Sequence, residues 1–238
     1  MNARRLEPER LDDVGHDAEE LRESLNQVAQ VNRRLGGLRA LHHALRPFVA
    51  SAGRAPLRLL DVGTGNAALP LHLLEWSAAR GAHWNVIGVD RHPEITPIAA
   101  RRAAPAGRAL RIVRADALEL PFRNGSFDVA LCTLTLHHFE DESAIRLVRE
   151  MARVARRAVL VNDLERNRAA ELGARLLAAT LWRGNRLTRH DGPVSVRAAF
   201  TPGELREIGD RAGLQDVSVR RHVPFRLLLR GRPSGVEP

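Results

Sequence analysis

From Pro56 onward, short apolar runs alternate with amphipathic stretches. The apolar runs at Leu57–Val62, Asn85–Asp90, Leu110–Ala115, Phe127–Thr133 and Ala158–Asn162 are rich in Val, Ile and Leu and have the length of strands. Between them, Ala67–Arg80, Pro93–Ala103 and Asp141–Ala155 repeat apolar residues at helical spacing. In the last of these, Ile145, Val148 and Ala152 share one face, and Glu140-Asp141-Glu142 sets negative charge at the positive end of the helix. Strands that are apolar throughout are built to be buried on both faces. The alternation therefore predicts a parallel sheet covered by helices on each side.

The two ends of the chain read differently. Leu21, Leu25, Val28 and Leu35 mark one helical stripe, and Leu38, Leu41, Leu45 and Val49 a second, with Gly36-Gly37 between them. These helices are expected to form a cap over residues 1–52, ahead of a main domain at 53–238. They would cover one edge of the sheet, a lid over a ligand being the alternative reading. After Asp163, Leu164–Arg183 reads as a long helix and Gly184–Thr201 as a polar, arginine-rich segment without periodicity. Thr201-Pro202-Gly203-Glu204 has the form of a capping box with proline at the first helical position, so a helix should run to Ala212 and stop at Gly213. Gln215–Arg221 and Pro224–Arg230 then predict an antiparallel pair of strands, with a frayed tail from Gly231. The total is a doubly wound, seven-stranded α/β sheet with a terminal antiparallel hairpin and an N-terminal helical extension.

Composition narrows the setting. Apolar residues are 44% of the 238, enough for a sizeable core. No run approaches the roughly 18 apolar residues of a membrane-spanning helix, and Met1–Asp13 has no apolar stretch of the kind a secretory signal needs. Cys132 is the single cysteine, which fits a reducing, cytoplasmic compartment. The formal charge of +9 comes from 37 basic residues, all of them arginine. They are interleaved with Asp and Glu and carry no threaded aromatics, so a biased composition accounts for them and nucleic acid is not the expected partner.

The sharpest chemical signal is Leu59-Leu60-Asp61-Val62-Gly63-Thr64-Gly65-Asn66, where a buried strand ends in an acidic residue and a Gly-x-Gly turn. Glycine suits a turn whose backbone lies against a ligand. By itself the motif also fits nicotinamide-dependent enzymes, with Ala68 in place of a third glycine. Asp90, followed by Arg91, closes the second strand, where a carboxylate can accept from ribose hydroxyls. Asp116 follows the third in Arg114-Ala115-Asp116-Ala117. Then come Gly125-Ser126-Phe127-Asp128-Val129-Ala130, Thr133 and Leu136-His137-His138-Phe139. Taken singly, Asp90 or Asp116 could merely cap a turn.

This ordered series, from about Leu57 to Leu164, resembles the class I S-adenosylmethionine-dependent methyltransferases, especially the branch containing ubiquinone and menaquinone biosynthesis enzymes. The resemblance implies that Asp61, Gly63, Thr64 and Gly65 hold the methionine part of S-adenosyl-L-methionine. It further implies that Asp90 and Arg91 take the ribose and Asp116 with Ala117 the adenine, while Thr133 and His138 stand near the transferring methyl. Asn26-Gln27-Val28-Ala29-Gln30-Val31-Asn32-Arg33 and Asn185–Pro193 resemble bacterial methyltransferases associated with type III polyketide synthases. That second resemblance implies O-methylation of a small phenolic or quinone-like acceptor, with C-methylation of a quinone-type ring as the alternative. A homodimer would be compatible with either.

A phenolic acceptor would gain from a general base. His190, beside Asp191 in the segment expected to form the acceptor pocket, is the first candidate and His137 the second. Each could instead be a hydrogen-bonding handle, and His222 is expected to pack. No metal site is expected, because histidines and carboxylates do not cluster at ligand spacing along the chain. A hydride-transfer enzyme is disfavoured by the absence of both tyrosine and lysine. An RNA methyltransferase lacks support at Thr133-Leu134-Thr135-Leu136, where an Asn-Pro-Pro-type motif would stand. A non-catalytic cofactor-binding protein would carry the same binding residues.

Overall fold

A computed structural model describes residues 3–50 and 56–234. Seven strands form one sheet: β1 (Leu57–Val62), β2 (Trp84–Asp90), β3 (Leu110–Arg114), β4 (Phe127–Thr133), β5 (Ala155–Leu164), β6 (Gln215–His222) and β7 (Arg226–Arg232). Their order is β3-β2-β1-β4-β5-β7-β6. The first five strands run parallel, and β7 pairs antiparallel to both β5 and β6. The chain winds outward one way through β2 and β3, then the other way through β4 and β5, so the topological switch lies between β1 and β4. The carboxyl ends of strands at such a switch leave a crevice.

The central strands are apolar throughout because both faces are covered. Leu60, Val62, Ala130 and Cys132 face α5 (Asp141–Val154) and α8 (Pro202–Arg211). Their neighbours Leu59, Val129 and Leu131 face α2 (Gly37–Ala50), α3 (Ala68–Ala78) and α4 (Ile95–Ala103). Each fully buried Leu or Val is worth about 1.5–3 kcal/mol against exposure.

The parallel core follows the sequence pattern closely, while the C-terminal third departs from it. The helix expected over Leu164–Arg183 is α6 (Arg168–Ala179). Asp163 and Leu164 stay in β5, and Asn167 opens the helix by accepting from the Ala170 amide. The segment expected to be irregular contains α7 (Arg186–Ala198). Gly192-Pro193 looks like a breaker, yet Asn185 caps the helix and its buried face carries Leu187, Val194, Val196 and Ala198. Glycine is required at 192, where a β-carbon would stand 2.5 Å from the Trp182 ring. The Thr201 capping box forms on both sides. Gly231 and Arg232 belong to β7, not to a tail, because Gly231 pairs with Val159.

The expected division at 52/53 falls on residues 51–55, outside the described chain. The two N-terminal helices do different things. The α2 face of Leu41, Leu45 and Phe48 is part of the main core. By contrast, α1 (Ala18–Arg34) lies over the strand ends and packs on α7, where Ser24 and Thr188 share a hydroxyl hydrogen bond of 2.8 Å. The two segments that carry the second resemblance, near Asn26 and Asn185, are thus neighbours in space. Among the described residues no helix is long and apolar enough to cross a membrane.

Candidate functional site

A cavity of about 590 Å³ lies at the switch point, beyond the carboxyl ends of β1, β2 and β4. Its floor is the turn after β1. Gly63 (φ +72°) and Gly65 (φ +54°) hold left-handed conformations that cost other residues free energy. The reason for glycine differs between them. A β-carbon on Gly63 would collide with Thr135 Oγ1, so the space there is filled by the loop after β4. At Gly65 the nearest atom is Leu25 Cδ2 at 3.9 Å, leaving that backbone open to a ligand.

Asp61, next to last in β1, is almost fully buried. One carboxylate oxygen accepts from Thr64 Oγ1 at 2.8 Å, while Oδ1 is buried and without a hydrogen-bond partner. Burial raises its pKa from 3.8 to about 7, with Asp90 adding to the shift against the Thr64 hydrogen bond. Asp90 accepts from the amides of Gly65 (2.9 Å) and His92 (3.0 Å), tying the β2 end to the glycine turn. Burial raises its pKa too, though those amides oppose the shift. Thr133 Oγ1, at the end of β4, is a second buried polar atom without a partner. Leu134 follows it with φ +53°, a strained conformation for a non-glycine residue.

Most residues named from sequence line this cavity: Asp61, Gly63, Thr64, Gly65, Asp90, Arg91, Ala117, Thr133 and His138. Asp116 does not. It is exposed, and one of its carboxylate oxygens accepts from the Leu118 amide, while Ala115 and Ala117 form the wall.

Neither expected base reaches the cavity. His190 sits on α7 outside the lining, with Nδ1 2.8 Å from Asp191 Oδ1. Asp191 also accepts from the amides of Arg10 and Leu11, so the pair anchors a chain segment. The helical folding of 186–198 is what carries His190 away from the acceptor space. His137 is buried behind the wall, its Nδ1 2.7 Å from Asp163 Oδ1. Burial disfavours its charged form, but Asp163 and Glu9 outweigh that and raise its pKa to about 10. An imidazole that holds its proton so firmly is a poor general base.

A segment without an evident sequence signal closes the site. Residues 3–13 cross the strand ends as a strap that includes a short 3₁₀ turn at Arg10–Asp12. Arg4 donates to the carbonyls of Ala198, His137 and Phe139 and to Asp141, and its guanidinium lies 3.9 Å from the Phe200 ring centre. At the far end the Asp13 carbonyl contacts His92 Nε2 at 2.7 Å. Leu11 and Asp12 line the cavity from above, as Leu25, Asn26 and Ala29 of α1 do from the side. The N-terminal helices thus divide the two readings given them: α2 packs into the main core, while α1 and the strap together cover the cavity as in the alternative lid reading. The strap also brings buried Glu9 to His137 and His138, a grouping invisible as spacing because Glu9 lies far from both histidines along the sequence.

Residues 59–158 match the family model described as a methyltransferase domain. These residues form a methyltransferase domain. Its curated relatives include a demethylmenaquinone methyltransferase of Thermus thermophilus, 40% identical over 109 residues that cover 45% of this chain and 48% of the relative. A protein of the same description from Deinococcus radiodurans is 31% identical over 87 residues, covering 37% and 34%. The match to each thus spans less than half the relative's length. An S-adenosylmethionine-dependent methyltransferase from Aquifex aeolicus superposes with a TM-score of 0.61 at 15% identity, covering 91% of this chain and 98% of the other. An O-methyltransferase family 2 protein from Planctomyces limnophilus, in complex with apigenin, gives 0.63 at 20% identity, covering 93% and 63%. These superpositions show that the chain shares the fold of these two proteins over nearly its whole length. The family match, at 59–158, takes in the glycine turn, Asp90, Asp116, Thr133 and both histidines, whereas α1, α7 and the strap lie outside it.

Proposed function

We propose that this chain is an S-adenosyl-L-methionine-dependent methyltransferase that O-methylates a small phenolic or quinone-like ring. The observation that carries the reading is the buried, partnerless Asp61 Oδ1 beside the open backbone of Gly65. An anionic acceptor atom with no donor, next to a turn with room for a ligand, suits the ammonium end of an amino-acid nucleoside. Asp90 retains lone pairs for ribose hydroxyls beyond its two amide bonds. The Ala115–Ala117 wall suits the flat face of adenine.

When bound, the cofactor supplies a methyl group on a positively charged sulfur, an electrophile with a good leaving group. The work left to the protein is alignment and exclusion of water, which can supply roughly 7–11 kcal/mol. The strap and α1 serve exclusion, since Leu11 and Leu25 close the cavity. Small size of the acceptor is favoured by this enclosure. It is also favoured by the arginines, many of which are paired with carboxylates, as Arg4 with Asp141, Arg186 with Glu20 and Arg211 with Glu142. A reducing, cytoplasmic setting fits the buried, unpaired Cys132.

A second reading, methylation of a ring carbon, is favoured by the demethylmenaquinone methyltransferases among the relatives. Transfer of labelled methyl to a panel of phenols and quinols, with the label located by mass spectrometry, separates the two. The cofactor assignment is tested by calorimetry with S-adenosylhomocysteine. Asp90→Ala is expected to lose about 10- to 100-fold in affinity, the value of hydrogen bonds to a charged group. Unchanged affinity would refute the ribose assignment.

A further inference from the structure

We propose that Glu9, His137 and His138 form a binding site for a divalent transition-metal ion of the zinc type, with the two Nε2 atoms and the Glu9 carboxylate as ligands. Glu9 Oε1 lies 3.4 Å from His137 Nε2, and Glu9 Oε2 lies 3.8 Å from His138 Nε2. One ligand atom from each of the three residues falls within 4.8 Å of the others. Ordinary N–H···O hydrogen bonds are about 2.7–3.2 Å long, so these separations are at or beyond their limit. They are close to the edge of a tetrahedron with zinc–ligand bonds of about 2.1 Å, which is roughly 3.4 Å.

The surroundings orient each ligand. His137 Nδ1 is 2.7 Å from Asp163 Oδ1, and His138 Nδ1 is 2.8 Å from Asp12 Oδ2. A carboxylate on Nδ1 holds one proton there, so a metal ion that displaces the Nε2 proton meets a correctly oriented electron-pair donor, the arrangement that supports metal-bound histidine. Glu9 Oε1 is itself held by Ser195 Oγ at 2.6 Å. All three ligands thus have a partner behind them, and both Nε2 atoms converge on one carboxylate. Two electron-pair donors facing an anion require positive charge between them, from protons or from a metal. Imidazole nitrogens with one carboxylate oxygen suit zinc and its neighbours better than calcium or magnesium. The site adjoins the cavity through His138, and it would pin the strap by Glu9 across the strand ends.

The test uses the untagged full chain, stripped with chelator and checked by circular dichroism. Zinc is expected to bind with a single equivalent per chain by elemental analysis. Cobalt(II) should develop the visible ligand-field bands of a tetrahedral site. Glu9→Gln, nearly isosteric, and His138→Ala, at a half-buried position, should abolish those bands while remaining folded. Asp12→Asn, behind His138, should weaken binding by about 10- to 100-fold. Zinc should also slow proteolysis within residues 3–13 in the native chain and leave it unchanged in Glu9→Gln. The proposal is overturned if folded protein takes up neither metal, or if Glu9→Gln binds as the native chain does. It is equally overturned if binding disappears instead with His42→Ala, since His42 and His72 bring their Nε2 atoms within 3.0 Å and could chelate an ion on their own.

Discussion

Replacing Asp61 by asparagine sets the stability of the fold against its capacity to bind a ligand. A pKa raised from 3.8 to about 7 by burial means that the ionised carboxyl costs the empty folded state about 4 kcal/mol, at about 1.36 kcal/mol per pH unit. The sign follows from which state ionises first. Below about pH 4 the group is neutral in folded and unfolded chains alike. Between about pH 4 and 7 the unfolded chain releases its proton first, so stability falls as pH rises. Above 7 the whole cost is present. The asparagine side chain would keep the Thr64 contact and carry no charge, but its amide hydrogens need acceptors in a buried site, at about 1–3 kcal/mol. The net gain at pH 8 is therefore about 2 kcal/mol, or roughly 4–8 °C in melting temperature for a chain of this size. At pH 4 the gain vanishes and the amide penalty remains. Differential scanning fluorimetry of both proteins across this range reads the effect, and calorimetry at pH 8 should show S-adenosylhomocysteine binding weakened at least tenfold. A melting-temperature difference that stays constant from pH 4 to 8 would refute the argument, because Asp61 would then not titrate there.

Two further outcomes follow from the same geometry. Gly63→Ala places a methyl against Thr135 at a φ of +72°, so urea unfolding should report a loss of about 2–3 kcal/mol, whereas the same change at Gly65, strained at a φ of +54° but free of any clash, should lose only about 1 kcal/mol while weakening cofactor binding. His190→Ala should retain turnover within a few-fold in the labelled-methyl assay, since its imidazole lies outside the cavity; loss of turnover at unchanged melting temperature would return it to the reaction.

What the sequence determined by itself is the parallel core and the cofactor end of the cavity. Both are local in origin. Strand burial on two faces writes continuous apolar runs at Leu57–Val62 and Phe127–Thr133, and a sharp turn writes Gly63 and Gly65 beside Asp61. The Thr201–Glu204 capping box is local too, and it formed as read. The tertiary structure decided what depends on distant segments. Gly192-Pro193 spells a loop by propensity, yet packing against α1 and the Asn185 cap hold 186–198 in a helix and carry His190 off the site. Asp116 carries the expected residue type at the expected place, but only the path of the chain shows it exposed and outside the cavity lining, with one carboxylate oxygen on the Leu118 amide. The roof of the cavity and the meeting of Glu9 with His137 and His138 arise from a strap whose anchors, Arg4 to Asp141 and Arg10 to Asp191, join segments far apart in the chain. Contacts of that kind leave no periodic trace, because neither partner's neighbours in sequence need change to make them.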